Sequence, residues 1–381
     1  MNRREFLLSA ASLAFIGGCR HFVPENVPAP ALPPMLPPVP PLDATVVAEI
    51  RRQIAAGYFT CACVGAAGGG RGAFGNRRPL ETVPVPVAAD SLFEIASVSK
   101  THLALIMALM RHEGKLDIDA PFTKYLPDHV LAKEGTKIRI RDLAAHCSGF
   151  TNGWMGKVGI YGKPWPYKSD AEYERAALSV RPVNRCREKY VYACQNMILM
   201  GFIVERVLGL DLDAAAKQYV WGPLGMKSTG WTNRVGDPKT VQMFTGGPLD
   251  LGTKGDQNAH NVVKPIGNAG VFSTLDDLML YAEDLLERKT FPKDVYDLLF
   301  TTEFADGKGH FRSFGWDKSP GTNPPGWSTS SINHSGHTGQ YVAVDPVNHK
   351  ASVVLTNLRL SQPAERGRAY AERRALAAML G

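Results

Sequence analysis

Six cysteines in 381 residues are too few for a disulfide scaffold, and none falls in the paired CxxC spacing of a zinc site. Charge of one sign is concentrated nowhere: 43 Lys and Arg are scattered among 36 Asp and Glu, for a net charge of +7. Without a basic stripe interleaved with aromatics, nucleic acid is excluded as the expected partner. The apolar run at 7–16 falls short of the ~20 residues that a permanent membrane-spanning helix needs. What is present is 44% hydrophobic and 21% charged residues. That balance suits one or two globular domains with a large core, and excludes a coiled coil, a collagen-like repeat and a wholly disordered chain.

The chain opens MNRREFLLSAASLAFIGGC. Arg3-Arg4 followed by Phe6-Leu7 resembles a bacterial twin-arginine export signal. Ile16-Gly17-Gly18-Cys19 resembles a lipobox, which implies cleavage before Cys19 and diacylation of its sulfur; an ordinary signal peptide that contains a cysteine is the alternative. Residues 23–43 carry so many prolines that neither helix nor sheet ladder can form, and extended polyproline II is favoured at ~3 Å per residue. The expected organisation is therefore an export signal at 1–18, a Pro-rich tether at 19–43 and a folded domain at 44–381. Membrane attachment is expected through an N-terminal lipid anchor, on an exported, cell-envelope lipoprotein.

Within the folded part, 44–56 reads as a helix and 58–66 (YFTCACVGA) as a buried strand. Gly70-x-Gly72-x-x-Gly75 has the form of a dinucleotide fingerprint, but Pro79, Pro84 and Pro86 follow where the phosphate-binding helix should start, so a hairpin turn is expected. Leu103, Ile106, Met107 and Met110 fall at helical spacing and predict a helix with one buried face, ended by Gly114 in a left-handed cap. Residues 196–208 predict a second helix, with Met197, Gly201, Val204 and Leu208 on one face. VAVDPVNHKASVVLTN reads as two strands around a turn, and 364–380 as a last helix. Strands at both ends and helices in the middle suggest an antiparallel sheet flanked by helices, an α/β (α+β) fold with an inserted, mostly helical domain.

Ser97-Val98-Ser99-Lys100 places an amine one helical turn from a hydroxyl, on the same face, where a helix N-terminus favours a developing alkoxide. A serine is a poor nucleophile near neutral pH without such a neighbouring base. By itself S-x-x-K is common and marks a plain helix cap. Its company is not: FEIASVSK before an apolar helix, then GKLDID, KYLPD, IRDLAAHCSGF, WGPLGMKSTGW and GNAGVFSTLDDL. In this order the segments resemble the serine β-lactamase-related hydrolases, a group of class C β-lactamases, DD-peptidases and small-ester esterases. The resemblance runs from about 45 to 375 and implies a β-lactamase/transpeptidase-like fold.

It also implies the remaining site. The family's Tyr-x-Asn motif falls on Tyr192-Ala193-Cys194, so Tyr192 takes the catalytic tyrosine's place, with Tyr190 as the alternative, and Cys194 stands where asparagine is usual. A tyrosine has a reference pKa near ~10 and serves as a base only if its anion is stabilised, which couples Tyr192 to Lys100. The third motif falls on His334-Ser335-Gly336, on an expected edge strand. The backbone N–H groups of Ser97 and His337 are then the implied oxyanion hole, and His334 is expected to face the substrate carboxylate or the Tyr192 oxygen. Cys147 takes a structural role, and Cys61 and Cys63 face the same side of a strand. A Cys186–Cys194 disulfide and a reactive Cys194 thiol near Ser97 are both open. No metal or organic cofactor is required, since His334 and His337 lack a third ligand at a recognisable spacing. Aromatics at 151–190 (Trp154, Tyr161, Trp165, Tyr167, Tyr173) are expected to wall the acyl pocket.

The resulting expectation is a membrane-tethered serine hydrolase that acylates Ser97 with a small-molecule or peptide substrate. Cys194 and His334 place DD-peptidase or esterase activity above efficient β-lactam hydrolysis. The rival is a non-catalytic penicillin-binding or sensor protein that retains the fold.

Overall fold

The computed structural model describes residues 40–152, 169–244, 247–256, 262, 264–359 and 363–381. Its helices are α1 (Ala44–Ala55), α2 (Ser99–His112), α3 (Ile140–Ala144), α4 (Asp170–Leu178), α5 (Cys194–Leu208), α6 (Leu212–Ala216), α7 (Gly222–Leu224), α8 (Leu275–Glu287), α9 (Lys293–Phe300) and α10 (Pro363–Leu380). The strands are β1 (Cys61–Ala66), β2 (Arg71–Gly75), β3 (Phe93–Glu94), β4 (Phe272–Ser273), β5 (Phe304–Ala305), β6 (Phe311–Arg312), β7 (Ile332–Ser335), β8 (Tyr341–Asp345) and β9 (Lys350–Thr356). The export signal, Cys19 and most of the tether lie outside the described residues, as do Trp154, Tyr161, Trp165 and Tyr167.

Five strands form an antiparallel sheet in the order β2-β1-β9-β8-β7. The two ends of the domain therefore meet: β1 pairs with β9, Val64 opposite Val354. Because side chains alternate along a strand, β1 feeds two cores at once. Cys61 and Cys63 enter the larger one, with α8 residues Leu275, Leu278 and Met279. Ala62 and Val64 enter the smaller one, with Val46 and Ile50 of α1 and Leu376 and Ala377 of α10. A sheet with helices on both faces, and a helical region inserted between β2 and β7, is the expected architecture.

The glycine-rich segment is a hairpin, with Gly65 paired to Arg71, and not a phosphate loop. The strand expected over 58–66 begins at Cys61, and the helix expected from 196 begins at Cys194. Gly114 has φ +71°, the left-handed cap read from the sequence. The larger departure is α2. Instead of one buried face, every residue from Ser99 to Met110 is buried. This helix is the axis of the domain, wrapped by other helices, and a helix buried all round needs no polar stripe. Its periodicity was visible because leucines and methionines stand out from alanine and threonine, not because water touches the other side.

Candidate active site

Ser97 sits in a single 3₁₀ turn, Ala96–Val98, just before α2 rather than within it, with Lys100 in the first turn of the helix. Ala96 has φ +48°, a left-handed conformation that costs a residue with a Cβ roughly 1–2 kcal/mol. The turn is held by a buried acid that sequence reasoning passed over. Glu94 Oε1 accepts from the Ala96 N–H (3.1 Å) and from the Gly270 N–H (3.2 Å). Burial, reinforced by the negative charge of Asp256, pushes the Glu94 carboxyl up to about 8. Ser99 adds a second tie: its hydroxyl donates to the Ala96 carbonyl (2.6 Å) and accepts from the Val271 N–H (3.1 Å).

Lys100 is fully buried, and its Nζ donates to Ser97 Oγ (2.8 Å) and to the Asn268 carbonyl (2.5 Å). The one-turn spacing delivers the contact it predicted. Burial works against the ammonium, but Cys194 and Tyr192 outweigh it, and the lysine is held above its ordinary value. Lys100 Nζ lies 5.2 Å from the centre of the Tyr192 ring. Burial raises the Tyr192 phenol, while Lys100 and Ser97 pull it back down. Lysine and tyrosine are thus one coupled unit. Tyr190 is placed differently, with the Arg312 guanidinium 5.4 Å from its ring centre and burial raising it to about 12. Of the two tyrosines, Tyr192 is the one beside the Ser97–Lys100 pair.

The third predicted segment arrives on β7, which is an edge strand. Gly336 follows it, and its lack of a side chain is required: a Cβ there would lie 2.9 Å from the Ile95 carbonyl and 2.3 Å from Gln340 Oε1. That close approach brings His337 to the Ser97 turn. Ser97, Tyr192, His334, Gly336 and His337 all line one cleft of about 210 Å³, together with Tyr190, Arg312, Asp317 and Tyr370. Among the described residues, neither the Ser97 nor the His337 backbone N–H donates to a protein acceptor. Two free donors beside a half-buried nucleophile that lines the cleft are what an oxyanion requires.

His334 Nδ1 donates to the Ser335 carbonyl (3.1 Å), so Nε2 carries the lone pair, and it has no partner. Burial, followed by Arg312 and Lys100, holds His334 well below the usual histidine value, so it is neutral at pH 7. His146 is the other residue that sequence reasoning missed, although it stands in the AAHCSGF segment. Its ring centre is 4.6 Å from that of Tyr192, and its Nδ1 accepts from the Ala193 N–H (3.2 Å) and from Asn196 Nδ2 (3.1 Å). A φ of +54° at His146 would have been invisible in the sequence.

Cys194 opens α5 and is buried; it does not line the cleft, nor does Lys100. Burial raises its thiol, with Lys100 opposing. Cys186 and Cys194 are both free, so the disulfide between them does not form here. Cys147 is buried against Ala145, Phe304 and Tyr190, a packing role. Tyr173 is buried in the main core rather than on the cleft wall, because α4 turns it inward. No cluster of metal-ligating side chains occurs among the described residues.

The profile of the family described as Beta-lactamase matches residues 53–377. A Salmonella gallinarum protein named "Putative D-alanyl-D-alanine carboxypeptidase" is 24% identical over 314 residues, covering 72% of this chain and 71% of its own. Among solved structures, EstCE1, described as a hydrolase with promiscuous acyltransferase activity, aligns with a TM-score of 0.70 at 20% identity, over 87% of this chain and 97% of its own. A beta-lactamase/D-alanine carboxypeptidase from Pseudomonas syringae aligns with a TM-score of 0.69 at 19% identity, over 86% and 97%.

Proposed function

The chain belongs to the Beta-lactamase family and is a serine hydrolase with that family's fold; on that premise we propose that it works through an acyl-enzyme on Ser97. The observation that carries the proposal is the 2.8 Å bond from Lys100 Nζ to Ser97 Oγ, with Tyr192 against the same ammonium. Ser97 Oγ attacks the acyl carbon as its proton passes to the Tyr192–Lys100 unit in the form that has already lost one proton, and the unit returns that proton to the leaving group. The N–H groups of Ser97 and His337 hold the oxyanion, one such donor being worth ~3 kcal/mol. Water then attacks the acyl carbon, the same unit taking its proton and handing it to Ser97 Oγ as the Ser97–acyl bond breaks and the acid leaves. A neutral His334, its Nε2 free, accepts a hydrogen bond from substrate or from Tyr192 rather than supplying charge.

The substrate class in this reading is a D-amino-acid peptide or a small ester, ahead of β-lactams. Cys194 offers no amide where the family's asparagine meets the β-lactam side chain, and His334 replaces a lysine cation with a neutral ring. The name of the Salmonella gallinarum relative supports the peptide side of this ranking. A panel of nitrocefin, a p-nitrophenyl short-chain ester and D-Ala-D-Ala peptides tests this ranking; nitrocefin turnover above the other two reverses it. Cys194→Asn is expected to raise β-lactam turnover relative to ester turnover by restoring an amide. The same reading puts the enzyme on the cell envelope, anchored through a lipidated Cys19. Wild-type protein then partitions into detergent and Cys19→Ser does not; equal partitioning removes the anchor from the account.

A further inference from the structure

Arg373 of α10 is 3% exposed, yet no carboxylate pairs with it among the described residues. Its guanidinium lies between two aromatic faces, 5.1 Å from the ring centre of Tyr341 and 4.6 Å from that of Tyr370. Every acceptor it reaches belongs to one short turn. Nη2 donates to Ser335 Oγ (2.8 Å); Nη1 donates to the carbonyls of Gln340 (2.9 Å) and Gly336 (3.4 Å). One turn earlier on the same helix, Tyr370 donates its hydroxyl to the His337 carbonyl (2.9 Å). An unpaired buried cation is costly, and its burial lowers Arg373 to about 10. A neutral residue could fill the same space without that cost.

The covalent chain gives the cation a use. The Gly336 carbonyl and the His337 N–H belong to one peptide unit, so a positive charge on that oxygen draws electron density from the nitrogen and strengthens the N–H as a donor. The Tyr370 bond fixes the orientation of the following peptide. We propose that Arg373, with Tyr370, is a positioning residue that aims and polarises the His337 N–H toward the developing oxyanion. This rests on the reading above, in which His337 N–H is an oxyanion donor.

The test compares Arg373→Met, Arg373→Lys, Tyr370→Phe and His337→Pro with the parent. The readouts are kcat and KM on p-nitrophenyl acetate per titrated Ser97, the affinity for phenylboronic acid, and melting temperature. Phenylboronic acid forms a tetrahedral adduct on the serine and so reports the oxyanion site. Removing one oxyanion donor typically costs ~100- to 1,000-fold in kcat, and a weakened donor costs less. Arg373→Met is therefore expected to lose ~10-fold or more in kcat, within that ceiling, with KM little changed and boronate affinity falling in parallel. Arg373→Lys restores part of both, and Tyr370→Phe loses severalfold. Should Arg373→Met fail to fold, Arg373→Gln, which keeps an amide donor without the charge, gives the same reading. Parent kcat and boronate affinity per titrated serine in the neutral variants overturn the proposal and leave Arg373 a packing residue. His337→Pro separates the two levels. If it alone is impaired, Arg373 is not involved; if it acylates like the parent while folded, the oxyanion assignment itself fails.

Discussion

Replacing Tyr192 by Phe isolates the proton path from packing. The ring keeps its neighbours: His146 at 4.6 Å, Lys100 Nζ at 5.2 Å and His334 at 6.4 Å. Only the oxygen goes, so stability should change by less than ~1 kcal/mol. General-base assistance is worth ~100- to 10,000-fold, and Lys100 remains 2.8 Å from Ser97 to take up part of the load. The lower end of that range follows, a fall in acylation of at least ~100-fold, or ~2.7 kcal/mol of barrier. Stopped-flow acylation by nitrocefin and by a p-nitrophenyl ester measures it, with a melting curve on each variant. Lys100→Ala should cost a similar amount, and the double variant should fall far short of the product of the two losses, because the pair acts as a unit. A folded Tyr192→Phe that acylates within a few-fold of the parent refutes the reasoning and moves the base to Lys100 acting alone.

Glu94→Gln should keep activity within a few-fold at pH 7, since burial already keeps the carboxyl protonated up to about 8. Glu94→Ala strands the Ala96 and Gly270 N–H groups and should cost roughly 3 kcal/mol in chemical denaturation; a Glu94→Ala protein as stable as the parent contradicts this. Stability should also fall in acid. Burial holds His102, His129, His146 and His334 below their ordinary value, so the unfolded chain takes up protons near 6.5 that the native chain refuses. That stability is complete above pH 6.5 and drains away below it, down to about 3 for His102. Each histidine costs ~1.4 kcal/mol between pH 7.5 and 5.5, and Glu94, whose raised value gives the opposite sign, offsets about two of them. A net loss of about 3 kcal/mol between pH 7.5 and 5.5 is expected from urea midpoints; equal or greater stability at pH 5.5 contradicts it.

Elements whose signal is local were legible in the sequence. The hairpin at 61–75, the Gly114 cap and the Ser97–Lys100 contact each depend on residues a few positions apart, and the structure has all three. The edge strand carrying His334, with Gly336 just past its end, was legible only through resemblance. The sheet that sets its place joins β1 to β9 across nearly the whole chain. What escaped notice was tertiary: Glu94 matters because it meets Gly270, His146 because its ring packs against Tyr192, and Arg373 because α10 returns to the turn after β7. Nothing in the segments around Glu94, His146 or Arg373 marks those meetings. The cysteines show the same limit. Their spacing left a Cys186–Cys194 bridge open, and only the fold separates the two thiols.

The central claim is a covalent intermediate on Ser97. Intact-mass spectrometry of full-length protein mixed with a fluorescent penicillin and, separately, with a fluorophosphonate tests it directly. The account predicts one adduct per chain from each reagent, mapped by peptide digestion to Ser97, absent in Ser97→Ala and slowed at least ~100-fold for the penicillin in Tyr192→Phe. An adduct on another residue, or none on a folded protein that still hydrolyses its ester, contradicts it.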